Sequence, residues 1–381
     1  METTTYKISD IGEVVGGGTP STANSDFWGG DIPWISPKDL TGYKSVYISH
    51  GESFLNKTGL KSGTKLLPKD TVLFSSRAPI GYVAIASNPI CTNQGFKSII
   101  CNKEIINPLF LYYYIKGNLD YIKLFGTGAT FPEISGAAMR KIKVQIPSLP
   151  TQQKIASILS AYDRLIENNT RRIRLLEQMA ENLYKEWFVR FRFPEHENVE
   201  MVNGLPKGWK IEKLGDYANI STGKCNREDA EEDGIYPLFD RSQEIKKSSK
   251  WIKDCEAIIV PGEGTSFMPR YYKGKFNLHQ RCYCIEPTIK DIGFYLFYSI
   301  MLNRKYFLSV ATGATVPSLR QNNFTKMKLI IAELELVKKY NKVANTIALQ
   351  IDKLKEQNQL LTRQRDLLLP RLMSGKLEVK S

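Results

Sequence analysis

Two stretches, YIKLFGTGATFPEI at residues 121–134 and YFLSVATGATVPSL at residues 306–319, are one phrase written twice. Thr127 and Thr312, Pro132 and Pro317, and Lys143 and Lys328 are each separated by 185 positions. Upstream, Pro108-LFLYYY matches Gly293-FYLFYS at the same offset. The starts also align, Tyr6-KISDIGEV with Trp209-KIEKLGDY, at an offset of 203. Self-similarity at a fixed period marks a duplicated architecture. The fall from 203 to 185 makes the first copy 18 residues longer, all within its globular part.

Working outward, each copy has a globular stretch (1–150, then 209–335) followed by a long helical one (151–192, then 336–373). Residues 193–208 are polar with Pro and Gly and are expected to link the copies, and 374–381 form a polar tail. Apolar runs in the globular parts are short: Thr71-VLF, Tyr82-VAIA and Phe96-KSII, then Ala257-IIV and Cys282-YCI. Runs of that length bounded by Gly, Pro and Asn predict strands of a mixed or mainly β domain. Residues 108–124 and 293–309 each predict one apolar helix. The fold class is therefore α+β, two tandem domains separated by two long helices in a pseudo-twofold internal repeat.

The first long helix carries Ile155, Leu159, Tyr162, Ile166, Asn169, Ile173, Leu176, Ala180, Leu183 and Trp187 at a spacing of three and four. The second carries Tyr340, Ala344, Ile347, Ile351, Leu354, Asn358, Leu361, Arg365, Leu368 and Leu372. Heptads sustained this long predict a coiled coil; the plainer reading is two amphipathic helices, each on its own domain. Antiparallel pairing that places Asn169 opposite Asn358 also pairs Ile155 with Leu372, Ile166 with Leu361 and Trp187 with Tyr340. Buried asparagines at that layer would fix register. Only Tyr162 opposite Arg365 is mismatched, and a stacked guanidinium would relieve it.

Charge narrows the partner. The 381 residues hold 53 Lys and Arg against 39 Asp and Glu, a net charge of +14. That excess points to a polyanion, nucleic acid first and an anionic membrane surface second. No apolar run approaches the roughly 18–20 residues that cross a bilayer. Met1 to Ser9 is polar and shows no signal-peptide pattern, so a cytoplasmic location is expected. Among six scattered cysteines, Cys282-x-Cys284 fits strand alternation better than any zinc spacing, and no metal site is expected.

The order of globular domain, GTGATFPEI-type connector, IPSLPTQQKIASIL (146–159) and long helix, repeated once, resembles the specificity subunits of type I restriction–modification systems. The resemblance spans essentially the whole chain. It implies that each domain reads one half of a bipartite site on double-stranded DNA. It further implies that the helices space the domains and dock two methyltransferase subunits, which motor–nuclease subunits then join. S-adenosylmethionine, ATP and Mg²⁺ would bind those partner subunits, and no cofactor would bind this chain. Two departures stand out. The second copy has Leu334-ELVKKYNKV where the first has Leu149-PTQQKIASI, losing the proline and the glutamine pair, and Ala311 replaces Gly126. Either change would alter the second docking surface if those residues form it.

Catalytic patterns are weak. Asn107-PLF is similar to the N-P-P-[FY] motif of amino-methyltransferases, yet its repeat partner is Ile292-GFY and no strand–G-x-G unit precedes it. Pro108 at a helix start explains it better. Gly16-GG and Thr222-GK lack phosphate-loop spacing, and His50, His196 and His279 have no evident nucleophile or metal partner. Non-catalytic recognition is the expected role. The rivals are a coiled-coil protein-interaction scaffold and a single-chain enzyme that modifies or cuts DNA.

Base reading calls for Arg and Lys toward guanine and for Asn and Gln toward adenine, with Lys, Arg, Ser and Thr on phosphates. The first domain offers Ser36, Lys38, Ser75, Ser76, Arg77, Asn93, Gln94 and Lys97. The second offers Arg241, Gln243, Lys246, Lys247, Arg270, Tyr271, His279, Gln280 and Arg281. Asn93-Gln94 and His279-Gln280 match at an offset of 186, as do Arg77 and Glu263. Different residues on one framework suit two different half-sites.

Overall fold

The computed structural model describes residues 2–130 and 132–379, so Phe131 of the first connector, Met1 and the last two residues of the expected tail lie outside the described residues. The chain forms two compact units, residues 1–171 with 354–381, and residues 172–353. The α+β expectation holds in each.

In the first unit a five-stranded sheet runs in the order Gly12–Gly16, Lys97–Cys101, Val72–Ser76, Ile80–Ala86, Tyr47–Ile48. Its neighbours are antiparallel except the last pair. A three-stranded sheet (Ser53–Leu55, Trp28–Ile35, Cys91–Thr92) accompanies it. Val72, Leu73 and Phe74 are fully buried, which is why that strand reads as a continuous apolar run. In the second unit a six-stranded sheet runs Ala218–Thr222, Cys282–Pro287, Lys253–Pro261, Arg270–Leu278, Tyr236–Phe239, Lys246–Ser248. The duplication is visible in the register: Val72 pairs with Ile99, and Ile258 with Ile285, both shifted by 186.

The starts of the repeats align differently from the sequence match. Ile8 donates its N–H to the Ile142 carbonyl, and Leu214 does the same to Met327. Residue 8 therefore corresponds to 214, an offset of 206, and the first copy is longer by 21 residues rather than 18. The offset of 203 sets Ile8 against Ile211, matching letters but not environments. Ile8 and Leu214 are both fully buried, whereas Ile211 is 61% exposed.

The expected apolar helices at 108–124 and 293–309 each break in two: Pro108–Gly117 and Leu119–Lys123, then Gly293–Leu302 and Lys305–Val310. The break falls on the same residue both times. Asn118 donates its amide to the Tyr114 carbonyl at 2.9 Å, and Asn303 to that of Ser299 at 2.8 Å, closing the helix ends. Phe110 through Ile115 are all buried, so the first of these helices has no wet face.

The long helices span Leu149–Tyr184, continued by a π turn over Lys185–Val189, and Leu334–Met373. Within the first unit they run antiparallel: Asp163 meets Arg365, and Asn169 meets Gln357. The mismatch at Arg365 is resolved by an ion pair rather than by stacking on Tyr162. Its guanidinium donates to Asp163, which also accepts from the Tyr113 hydroxyl, and both charges are largely buried. Asn169 and Asn358 lie at the same level but bond their neighbours. Asn169 donates to Gln357 at 3.4 Å and Asn358 to Thr170 at 3.3 Å. Ile155, Leu159 and Leu372 join the domain core around Phe110 and Tyr113, so this end of the pair also serves as domain wall. Within the second unit, Trp187 and Tyr340 pack edge to face at 6.0 Å, the expected layer, and the Tyr340 hydroxyl donates to the Ala180 carbonyl. The stretch 193–208, expected as a plain linker, is pinned at its ends, with Phe193 stacked on Trp209 at 5.4 Å.

Candidate nucleic-acid interface

In each unit three turns and the connector converge at the ends of the sheet strands, held by the same backbone bonds. Ser76 N–H donates to the Gly95 carbonyl, and Gly262 to Arg281. Gly18 donates to Thr92, and Lys224 to Leu278. The chain passes so close there that a Cβ on Gly17 or Gly223 would strike a carbonyl oxygen of the facing turn, which explains both glycines. The connectors close as two-bond bridges, Thr127 with Glu133 and Thr312 with Ser318. They then dock on the strand end through Ile134 N–H to Ser76 and Leu319 N–H to Gly262. Gly128 and Gly313 take φ near +112° and +114° inside the closed loops.

On this shared frame the side chains differ. In the first unit Glu133 accepts from Arg77 at 3.3 Å and from Lys97 at 3.2 Å. Lys97 also reaches the Ser76 hydroxyl and the Gln94 carbonyl, so its three N–H groups each have an acceptor. In the second unit Glu263 accepts from Arg241 at 2.5 Å and from Arg281. Burial works against ionisation of Glu263, but the two guanidinium bonds outweigh it and hold the carboxyl below its ordinary value. Beside it, Asp240 is opposed by burial yet brought down to about 2 by bonds from Lys246 and Ser242. Burial, with Arg241 next, holds His279 below its ordinary value.

The expected residues divide by placement. Asn93 accepts the Gly95 N–H and His279 the Arg281 N–H, the same turn-forming bond in both repeats. Gln94 and Gln280 follow at exposed positions, the first accepting from Thr19, the second donating to Asn226 at 2.7 Å. Ser75 and Ser76 are buried and bond carbonyls of Pro79 and Gly95. Ser36 caps a short turn through Asp39, and Lys38 forms an exposed pair with Glu52. Lys246 is bound to Asp240, whereas Lys247 and Gln243 are exposed. Arg270 donates to the Ser242 carbonyl. Tyr271 turns to the other side of its strand, stacked on Phe294 at 3.8 Å with its hydroxyl on Glu256, and is not part of the cluster.

Glu133 and Glu263, at the centre of the two clusters, were not among the residues expected to matter. Their one signal was position, since Glu133 lies in the repeated connector and Glu263 stands at the repeat position of Arg77. The sequence reading also passed over Cys255, whose thiol comes together with Cys284 and the Glu286 carboxylate within 4.8 Å. Lys253 pairs with that carboxylate at 3.4 Å. No helix among the described residues is long and apolar enough to cross a membrane.

Residues 1–178 and 206–365 match the type I restriction modification DNA specificity domain. The MjaIX specificity subunit of a type I restriction enzyme from Methanocaldococcus jannaschii is 35% identical over 404 aligned positions, covering 98% of this chain and 93% of that one. The EcoDI specificity subunit of Escherichia coli is 30% identical over 177, covering 45% and 39%. In fold, the chain is similar to the S subunit of the type I restriction–modification system of M. genitalium, with a TM-score of 0.67 at 17% identity over 98% of this chain and 96% of that one. With its duplicated domains and paired helices, the chain belongs to the type I restriction–modification specificity subunits.

Proposed function

We propose that the chain reads a two-part word on double-stranded DNA, one part per repeat. The long helices set the gap and dock two methyltransferase subunits, to which motor–nuclease subunits add. The observation that carries this reading is the frame at the strand ends. The same backbone bonds recur at fixed offsets while the side chains they present differ, Arg77 standing where Glu263 does and Glu133 where Ser318 does. Two readers of one design with different surfaces suit two different half-sites. The first long helix, 36 residues, is roughly 54 Å long at 1.5 Å per residue. One turn of B-DNA is roughly 34–36 Å, so the element is long enough to act as spacer.

The chain itself performs recognition without chemistry. Its clustered acids and bases are engaged with one another, Glu263 with two arginines and Asp240 with Lys246. S-adenosylmethionine, ATP and Mg²⁺ belong to the partner subunits in this reading. The test is co-expression with the partner methyltransferase followed by genome-wide mapping of methylated adenines. A word of two parts separated by a fixed gap is expected, and replacing residues 1–150 by another such domain should change one part alone. A single continuous word rejects the proposal, as does a swap that alters both parts.

A further inference from the structure

Each unit gathers two cations on one carboxylate at the edge of its candidate interface, but assembles the trio from different places. In the first unit the acid is Glu133, on the connector, and the cations Arg77 and Lys97 come from the sheet side. In the second the acid is Glu263, at the strand end, and bridges Ser318, the residue that replaces Glu133 in the repeat. Sequence inheritance therefore does not explain the likeness. The copies share the arrangement, a net charge of +1 on the trio, and not the residues.

The trios also differ in what they leave free. Lys97 is 15% exposed and has an acceptor for each N–H, so it anchors the carboxylate, while Arg77 is 38% exposed. In the second unit Glu263 is 14% exposed but Arg241 and Arg281 are 45% and 55% exposed. Each of these arginines gives one Nη to the acid and has five N–H donors in a planar fork. A fork held at one corner presents its remaining edge in a fixed direction, with less rotamer freedom left to lose on binding. That edge matches the O6 and N7 acceptors of guanine in the major groove.

Resting on the two-reader proposal, we infer that Glu133 and Glu263 are positioning residues for base reading. Glu133 aims one guanine-reading fork, Arg77, and Glu263 aims two, Arg241 and Arg281. The first part of the word then holds one G·C pair read by this trio, and the second part holds two.

The test uses the full chain co-expressed with its partner methyltransferase, with methylation scored at every single-base variant of the wild-type word. Glu133→Gln is expected to lower discrimination roughly tenfold at one G·C position in the first part, in the range of one bidentate contact. The second part should remain intact. Glu263→Gln should relax two positions in the second part and leave the first intact. Uniform loss of methylation at all sites, relaxation in both parts by one variant, or an unchanged word overturns the inference. Should either glutamine variant fail to accumulate as folded protein, Arg77→Lys and Arg281→Lys keep the charge and remove the fork. Arg77→Lys is expected to relax the first-part position and Arg281→Lys one of the two second-part positions, and full discrimination in them also overturns it. A wild-type word without two parts defeats the proposed function itself, whereas a two-part word indifferent to these variants defeats only this step.

Discussion

In the first repeat the buried helix Pro108–Gly117 is capped locally, the side-chain Oδ1 of Asn107 accepting from the N–H groups of Leu109 and Phe110. In the second, Ile292 stands at that place, and the cap comes instead from Asn341 on the second long helix, which accepts from Phe294 and Tyr295. The counterparts of the two new partners are just as telling. Where the second repeat has Asn341 the first has buried Ala156, and where the first has Gln152 the second has buried Val337. Gln152 is itself interior, accepting from Asn107 N–H and donating to the carbonyls of Ile105 and Pro147. Of the glutamine pair missing from the second copy, the loss of Gln152 is thus a change of internal wiring, whereas Gln153 is exposed. A helix end buried in a core must be satisfied, and the fold keeps that demand while moving its source.

The same contrast extends to the helix pairing, and there the largest effect is expected. Asp163, Arg365 and Tyr113 form a buried polar knot in the first unit. At the repeat-related places the second unit has Ala348 and Ala180, and it fills its helix contact with Tyr184, Phe188, Tyr295 and Tyr340. Asp163→Ala leaves the largely buried Arg365 guanidinium with only Asp366, itself more than half exposed, as a carboxylate partner, and should cost about 3 kcal/mol, the lower end for breaking a buried pair. Replacing the whole knot by Asp163→Leu, Arg365→Met and Tyr113→Phe should recover most of that loss, because no buried charge remains. Denaturant unfolding gives the magnitude and hydrogen exchange the location, which should be residues 149–171 and 354–373. Equal loss of protection over 172–190 breaks the contrast between the units.

How far the sequence could be read follows the same divide. The duplication, the helix pair and its antiparallel layers were legible because heptads and repeats are carried by residue type at fixed spacing. The offset at the repeat starts was misread because Lys-Ile recurs in both, and only burial separates Ile8 from Ile211. The breaks at Asn118 and Asn303 had a readable signal, one asparagine at the repeat offset inside each apolar run, that periodicity alone overlooks. The clusters were half legible. Arg77, Arg241 and Arg281 stand out as basic residues beside strands, but Glu133 and Glu263 are acids in a basic protein, and their role depends on which strand ends the fold brings together. Asn93 and His279 show the converse, since residue types suited to base reading serve the turn beneath.

The capping comparison gives the next effect in size. Gln152→Ala strands one N–H and two carbonyls in the interior, whereas Asn341→Ala strands two N–H groups and also removes an amide nitrogen that has no partner among the described residues. Leaving buried groups unsatisfied costs about 1–3 kcal/mol. Gln152→Ala should lie toward the top of that range and Asn341→Ala toward the bottom. Paired denaturation curves decide it. The reverse order would mean that the cap Asn341 supplies from the second long helix contributes more than the Gln152 brace of the first unit.

The smallest effect tests the connectors by exchanging their one backbone difference. A Cβ on Gly126 would lie 3.0 Å from the Ile80 Cδ1 and 3.1 Å from the Lys123 carbonyl oxygen. The methyl end of Ile80 can turn aside, but the carbonyl cannot, so Gly126→Ala should destabilise by about 1 kcal/mol despite the entropy it removes from the unfolded chain. The second connector already carries Ala311 at that place, its N–H on the Phe307 carbonyl at 2.9 Å. Ala311→Gly meets no obstruction and should cost about 0.5–1 kcal/mol through backbone freedom alone. Both substitutions therefore destabilise, for opposite reasons, and temperature scans of the two variants should move the same way. If Gly126→Ala instead stabilises the protein, the first connector has room for the methyl, and the glycine there reflects no crowding against Lys123.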